Sequence, residues 1–283
     1  MHPMERLRYV ARAEGAPAPA LIHEAAAALG SLGGDPAAVV TACRRLVDRH
    51  PGLGPMWWLS ARVLCSGDPE SEAWQAASEL ERDPTPSTLA AHLPESATVV
   101  VVGWPEQAAS ALRQRGDVRA LALGDSAPVL PRAGGSGRPG GGGRSGGGQP
   151  RRARSSRLDL VEVPWAALGS VVTAASLVLV GTEAAGPSGL LAEMGSLAAA
   201  AAGRALGVTV WAVAGVGRFL PARLWEALLA RHEAQDEDPW ARRLELVPAE
   251  LVDRVVGPRG PEDWSSAQER VFCPVAPELL RWR

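Results

Sequence analysis

Two residues stand where their types could do chemistry. Glu183 directly follows the apolar run Leu177-Val-Leu-Val-Gly-Thr182, and Arg218 ends Ala214-Gly-Val-Gly-Arg218 after a second apolar run. A carboxylate just past a buried strand can act as a general acid/base or accept hydrogen bonds from ribose hydroxyls. A guanidinium in the same kind of place can clamp a phosphate in a bidentate way. The bland alternatives are a partly solvated loop carboxylate or dimer contact for Glu183, and for Arg218 a salt bridge to Glu183 or Glu193. Gly215 and Gly217 lack the third glycine of a dinucleotide fingerprint and fit a tight turn.

Other chemistries lack their residues. The five histidines, His2, His23, His50, His92 and His232, form no HxxxH or HExxH pattern, and no serine nucleophile elbow is present, which speaks against metalloenzymes and hydrolases. Cys43, Cys65 and Cys273 are odd in number and lack metal-ligand spacing, so neither a disulfide framework nor a zinc site is expected. No cofactor is expected either. Seven arginines and no acid fall between residues 132 and 157, whereas the formal net charge is −2, so the rest of the chain carries about −9. Generic nucleic-acid binding by the folded part is not expected.

The elements that must position Glu183 and Arg218 follow from apolar spacing. With 283 residues, 46% of them hydrophobic, the chain can bury a sizeable core. Residues 18–82 carry apolar positions at helical spacing, broken by turn pairs, which predicts three or four helices. Asp35-Pro36 and Asp68-Pro69 read as N-caps followed by proline at the first helical position. From Thr98 the pattern changes to short, β-branched runs at 98–102, 118–123, 158–163, 177–180 and 208–213, of the kind a parallel sheet buries on both faces. Helices are expected at 106–115 and, as one crossover with a C-terminal glycine, at 190–206.

The fold class expected is α/β: an N-terminal helical domain (1–90) followed by a Rossmann-like, doubly wound parallel sheet in two halves, 96–132 and 158–283. Between the halves, residues 133–157 begin with ten glycines in eighteen residues and are expected to form a disordered Gly/Arg-rich insertion. The alternative, an Arg/Gly tract that contacts RNA, lacks aromatic residues to stack on bases. Trp57, Trp58 and Trp74 lie at helical core spacing, and Cys43 and Cys65 are expected to be buried in helices. No signal peptide or membrane span is expected, which makes the cytoplasm the expected location.

The segment Leu177-Val-Leu-Val-Gly-Thr-Glu-Ala-Ala-Gly-Pro-Ser-Gly-Leu-Leu-Ala-Glu-Met-Gly-Ser-Leu-Ala-Ala-Ala-Ala201, followed by Leu206-Gly-Val-Thr-Val-Trp-Ala-Val-Ala214, has a distinctive order. It resembles the superfamily of the translation initiation factor 2B alpha, beta and delta subunits and the methylthioribose-1-phosphate and ribose-1,5-bisphosphate isomerases. That pattern reads as an apolar strand, Gly-Ala-Asp, Asn-Gly, Asn-Lys-x-Gly-Thr, an alanine-rich helix and a further strand. Leu246-Val-Pro-Ala-Glu-Leu-Val-Asp-Arg-Val-Val-Gly-Pro-Arg-Gly260 looks like its closing segment, and Gly54-Pro-Met-Trp-Trp-Leu59 like its Arg-Pro helix start. The likeness runs from about Pro51 to Gly260.

The resemblance implies a pocket for a small phosphorylated metabolite or nucleotide at Gly103, Gly181, Ser188, Gly195, Ser196 and Arg218, with Glu183 in place of the pattern's aspartate. It also implies a homodimer, for which the apolar segment 220–229 with Trp225 is the expected contact. The departures concern chemistry. The isomerases' Thr-His-Cys, whose cysteine is implied in proton transfer, is replaced by Val101-Val102-Gly103, and Asn-Lys by Ala192-Glu193. Two readings follow. One is a non-catalytic or divergent regulatory binding protein; the other is an aldose-ketose phosphate isomerase acting on a ribose-1-phosphate derivative, with Glu183 as acid/base and a second acid such as Asp125 or Glu106.

Overall fold

The computed structural model of the protein describes residues 5–6, 10, 12, 16–32, 34–124, 158–235 and 238–281. The glycine-rich segment 133–157 and Asp125 lie outside the described residues. From residue 16 on, the described residues begin with four helices: α1 (Ala18–Gly30), α2 (Pro36–Arg49), α3 (Gly54–Cys65) and α4 (Pro69–Glu81). The two predicted caps form. Asp35 accepts hydrogen bonds from the Ala37 and Ala38 N–H groups, and Asp68 accepts one from Ser71 N–H. Helix α3 is buried at every position from Gly54 to Val63, so it is the centre of this bundle rather than one of its walls.

The next helix, α5 (Thr85–His92), packs on the sheet. The order then runs β1 (Thr98–Val102), α6 (Glu106–Arg113), β2 (Arg119–Leu123), β3 (Asp159–Val163), α7 (Leu168–Thr173), β4 (Leu177–Gly181), β5 (Ala184–Gly186), β6 (Gly189–Glu193), α8 (Ser196–Leu206) and β7 (Thr209–Val213). After these come α9 (Ala222–Glu233), β8 (Leu244–Pro248), β9 (Arg254–Gly257), β10 (Gly260–Glu262), α10 (Trp264–Glu269) and α11 (Pro277–Leu280).

Seven strands form one sheet in the order β10-β9-β7-β4-β1-β2-β3, parallel except for β10. The β-branched runs behave as expected of strands buried on both faces. Val100 and Val102 of β1 pack with α7 and α8 on one face, while Val99 and Val101 pack with α5 and α6 on the other. The chain leaves β1 toward β2 and β3, then returns to β1's other side with β4 and continues outward to β7 and β9. The strand order therefore reverses between β1 and β4, paired from Val99↔Leu177 to Val101↔Leu179. In open sheets of this kind, ligands bind beyond the carboxyl ends of the strands at that reversal.

Several expectations need correction. Residues 190–206 are not one helix: β6 pairs antiparallel with β5 and β8 in a separate three-stranded sheet, and α8 starts only at Ser196. Gly195, at φ +99°, lets the chain turn from strand into helix, a backbone conformation that side-chain-bearing residues avoid. Cys65 is exposed at the end of α3, and Trp74 is 42% exposed, edge-on to the His23 ring. The segment 220–229 is not a free apolar face, because Leu220, Leu224, Trp225 and Leu228 are buried against the N-terminal helices.

Trp225 joins the helical bundle to the small sheet. Its indole N–H donates to Ser188 Oγ at 2.8 Å, and a Cβ on Gly186 would enter its ring. Gly186→Ala is therefore expected to lower stability by about 1–3 kcal/mol in chemical denaturation, as overpacked core positions do. An unchanged midpoint would show that the indole can move aside.

Candidate functional site

A cavity of about 620 Å³ lies at the reversal of strand order. Its floor is the segment after β1 (Trp104 to Gln107), the end of β4 (Gly181 to Glu183) and the end of β7. Glu193 from β6, together with Arg243 and Leu244 at the start of β8, forms one side. The N-terminal helical part closes the other through Arg49 and the turn that follows α2.

Glu183 holds these parts in register through its backbone. Its N–H donates to Leu191 O at 2.8 Å, and its carbonyl accepts from Gly54 N–H at 3.0 Å, tying β6 and the start of α3 to the end of β4. Its side chain points to Arg218, with Oε2 at 3.4 Å from Nη1. Arg218 is 8% exposed; its Nη1 also donates to the Thr182 carbonyl, and its Nε has no hydrogen-bond partner. The salt bridge anticipated as the structural role of Arg218 is thus present, within the cavity wall.

The loop carrying Arg218 is fixed by Asp83 and Gln107. Asp83 Oδ2 accepts from Gln107 Nε2 at 2.6 Å and from Val216 N–H at 2.9 Å, while Gln107 Oε1 accepts from Gly215 N–H at 3.2 Å. Neither residue stands out in the sequence, because each acts on a loop more than a hundred residues away.

Gly103 follows β1 at φ +59°, and a side chain there would collide with the Glu193 carboxyl group. Glu193 therefore fills the volume that a side chain at position 103 would take. Gly103, Gly181, Glu183 and Arg218 gather at this end of the sheet. Gly103 itself, Gly195, Ser196 and Ser188 do not line the cavity. The N–H groups of Gly195 and Leu197 donate to Glu245 Oε1 at 2.6 and 2.9 Å, so the N-terminus of α8 already holds an anion of the chain itself. Ser196 is 1% exposed, and Ser188 is engaged with Trp225. Glu106 lines the cavity.

Four charged or titratable lining residues, Glu193, Arg49, Arg243 and His232, were not singled out as site residues from the sequence. Glu193 is open to the cavity, yet the surrounding wall desolvates its carboxyl and pushes its pKa up; the Glu183 charge adds to that rise and Arg243 opposes it. Arg49 and Arg243 are exposed and line the cavity, and their guanidinium groups make no hydrogen bond or ion pair among the described residues, although the Arg243 carbonyl accepts from Met194 N–H at 2.9 Å. His232 also lines the cavity, and burial lowers its pKa, which favours the neutral imidazole.

A carboxyl whose pKa is raised on folding contributes stability that is present at low pH and is lost as pH rises through its folded value. Glu193→Gln is therefore expected to retain more stability than the parent as pH climbs from about 4.5, the ordinary value for this group, to neutrality. Denaturant unfolding across that range measures it. Parallel profiles for the two proteins would mean that Glu193 titrates as a free carboxyl.

No family model matches the sequence, and no curated protein sequence matches it. Solved structures do. The translation initiation factor eIF-2B of Pyrococcus horikoshii superposes with a TM-score of 0.69 at 13% identity, over 94% of this chain and 98% of that one. The tetrameric eIF2B-beta2-delta2 complex of C. thermophilum gives 0.65 at 17% identity, over 94% and 92%. The 5-methylthioribose 1-phosphate isomerase of Pyrococcus horikoshii gives 0.55 at 15% identity, over 92% and 84%. With its helical N-terminal part, seven-stranded sheet and cavity at the strand-order reversal, the chain has the fold shared by initiation factor 2B subunits and this isomerase.

Proposed function

We propose that the protein binds a small phosphorylated metabolite or nucleotide in this cavity and acts as a regulatory rather than a catalytic homodimer. The observation that carries the binding is the pair of unpaired guanidiniums, Arg49 and Arg243, that line the cavity. Arg49 ends α2 and Arg243 precedes β8, so two separate parts of the chain offer planar, bidentate donors to one ligand. The volume suits a small molecule. The regulatory reading rests on Gly103, which leaves no thiol at the end of β1, and on the likeness to initiation factor subunits. Assembly with a second copy rests on the likeness to a tetrameric complex.

One observation favours a second reading. The Glu193 carboxyl occupies the place of a side chain at position 103, so an aldose-ketose phosphate isomerase with Glu183 as acid/base would retain a second proton-holding group there.

A thermal-shift screen against ribose phosphates, 5-methylthioribose 1-phosphate, AMP, GMP and inorganic phosphate tests the binding. One of these is expected to stabilise the protein, by about 2.7 kcal/mol at a hundred times its dissociation constant. The double change Arg49→Ala, Arg243→Ala should abolish that shift. Silence across the whole screen would overturn the proposal, and turnover of a ribose-1-phosphate derivative that disappears in Glu183→Gln would establish the isomerase instead.

Light scattering at micromolar protein is expected to give twice the chain mass. A monomer would remove the homodimer from the reading.

A further inference from the structure

Arg49 and Arg243 account for a phosphate, but two carboxylates line the same cavity. Glu183, just past the end of β4, and the exposed Glu193 at the end of β6 both line it, and the charge of Glu183 adds to the rise in the pKa of Glu193. Two guanidiniums face them. Arg218 lies behind Glu183 at 3.4 Å, with the same Nη1 committed to the Thr182 carbonyl, and Arg243 is exposed and makes no hydrogen bond to Glu193. The pair is therefore only partly neutralised. On the same wall Thr182 is 3% exposed, and its Oγ1 has no hydrogen-bond partner.

Two carboxylates and an unpartnered hydroxyl form a set of three acceptors, which matches the three N–H donors of a primary ammonium group. They do not match a divalent metal ion. Hard cations take six or more oxygen ligands, or retain much of their water, and no group of three or more His, Cys, Asp or Glu side chains suited to a metal occurs among the described residues. A hydroxyl-bearing ligand would leave the mutual repulsion of the carboxylates in place, whereas an ammonium removes it.

We infer that the ligand of this cavity is a small phosphomonoester that also carries a primary ammonium group, received by Glu183, Glu193 and Thr182 while Arg49 and Arg243 hold its phosphate. This rests on the phosphate-binding reading above and adds the second half of the ligand.

The test uses matched pairs that differ only by ammonium against hydroxyl: phosphoethanolamine with ethylene glycol monophosphate, and glucosamine 6-phosphate with glucose 6-phosphate. Calorimetry on the full chain is expected to show the amino member of at least one pair binding about tenfold more tightly, the scale of one charge-assisted contact. That preference should collapse in Glu193→Gln and in Glu183→Gln. Melting curves of both variants verify that they fold. Equal affinity within both pairs, or a preference that survives both substitutions, overturns the inference and leaves the phosphate reading standing. Binding of none of the four, together with silence in the thermal-shift screen, overturns both.

Discussion

The arrangement depends on a single carboxylate, that of Asp83, in the connection between α4 and α5. One oxygen accepts from the Thr85 N–H and hydroxyl, at 2.9 and 2.6 Å, and starts the helix that packs on the sheet. The other accepts from Gln107 and from Val216 N–H, and so holds the segments after β1 and β7 to the end of the helical bundle. Charge-assisted hydrogen bonds of this kind are stronger than neutral ones and poorly tolerant of displacement. The loop that they fix carries Arg218, and Arg218 in turn braces Glu183. A position in a short connection thereby sets the geometry of a site built from three strand ends.

The electrostatics of the cavity follow from which charges the chain has already paired. At the N-terminus of α8, where anions are favoured, Glu245 takes the donors. Arg218 is buried and engaged with Glu183 and Thr182. The cations left for an external anion are Arg49 and Arg243, on elements from opposite ends of the sequence. Glu193 stands over Gly103, a position whose positive φ and lack of a side chain are what leave room for the carboxyl. The resulting cavity is lined by free cationic groups and by acidic groups together.

Much of the fold is legible in the residues. The runs 98–102 and 177–180 read as strands buried on both faces because alternate valines find apolar partners in opposite layers. Asp35 and Asp68 announce their helices because a cap is satisfied by donors two or three residues away. Glu183 and Arg218 were legible as residues of this end of the sheet, where both line the cavity, because strand ends are where open sheets bind ligands. Residues 190–193 misled because a short apolar run next to an alanine-rich helix has no period of its own. Their strand character comes from pairing with β5 and with β8, some fifty residues further on. Trp74 and Cys65 likewise sit on helices whose inward face is set by neighbours, not by hydrophobicity alone.

Local and near-local physics thus determined the strands, the caps, the helical N-terminal part and the place in the sheet where a ligand should sit, since each rests on residues a few positions apart. Tertiary structure decided which charged groups are free. Whether a carboxylate is a ligand group or an internal counter-ion depends on partners that chain separation hides. Glu245 meets a helix start fifty residues before it, and Arg49 and Arg243 line one cavity only because the end of α2 and the start of β8 border it. Charge type is written in the sequence, but charge compensation falls off with distance in space and is set only when the chain has folded.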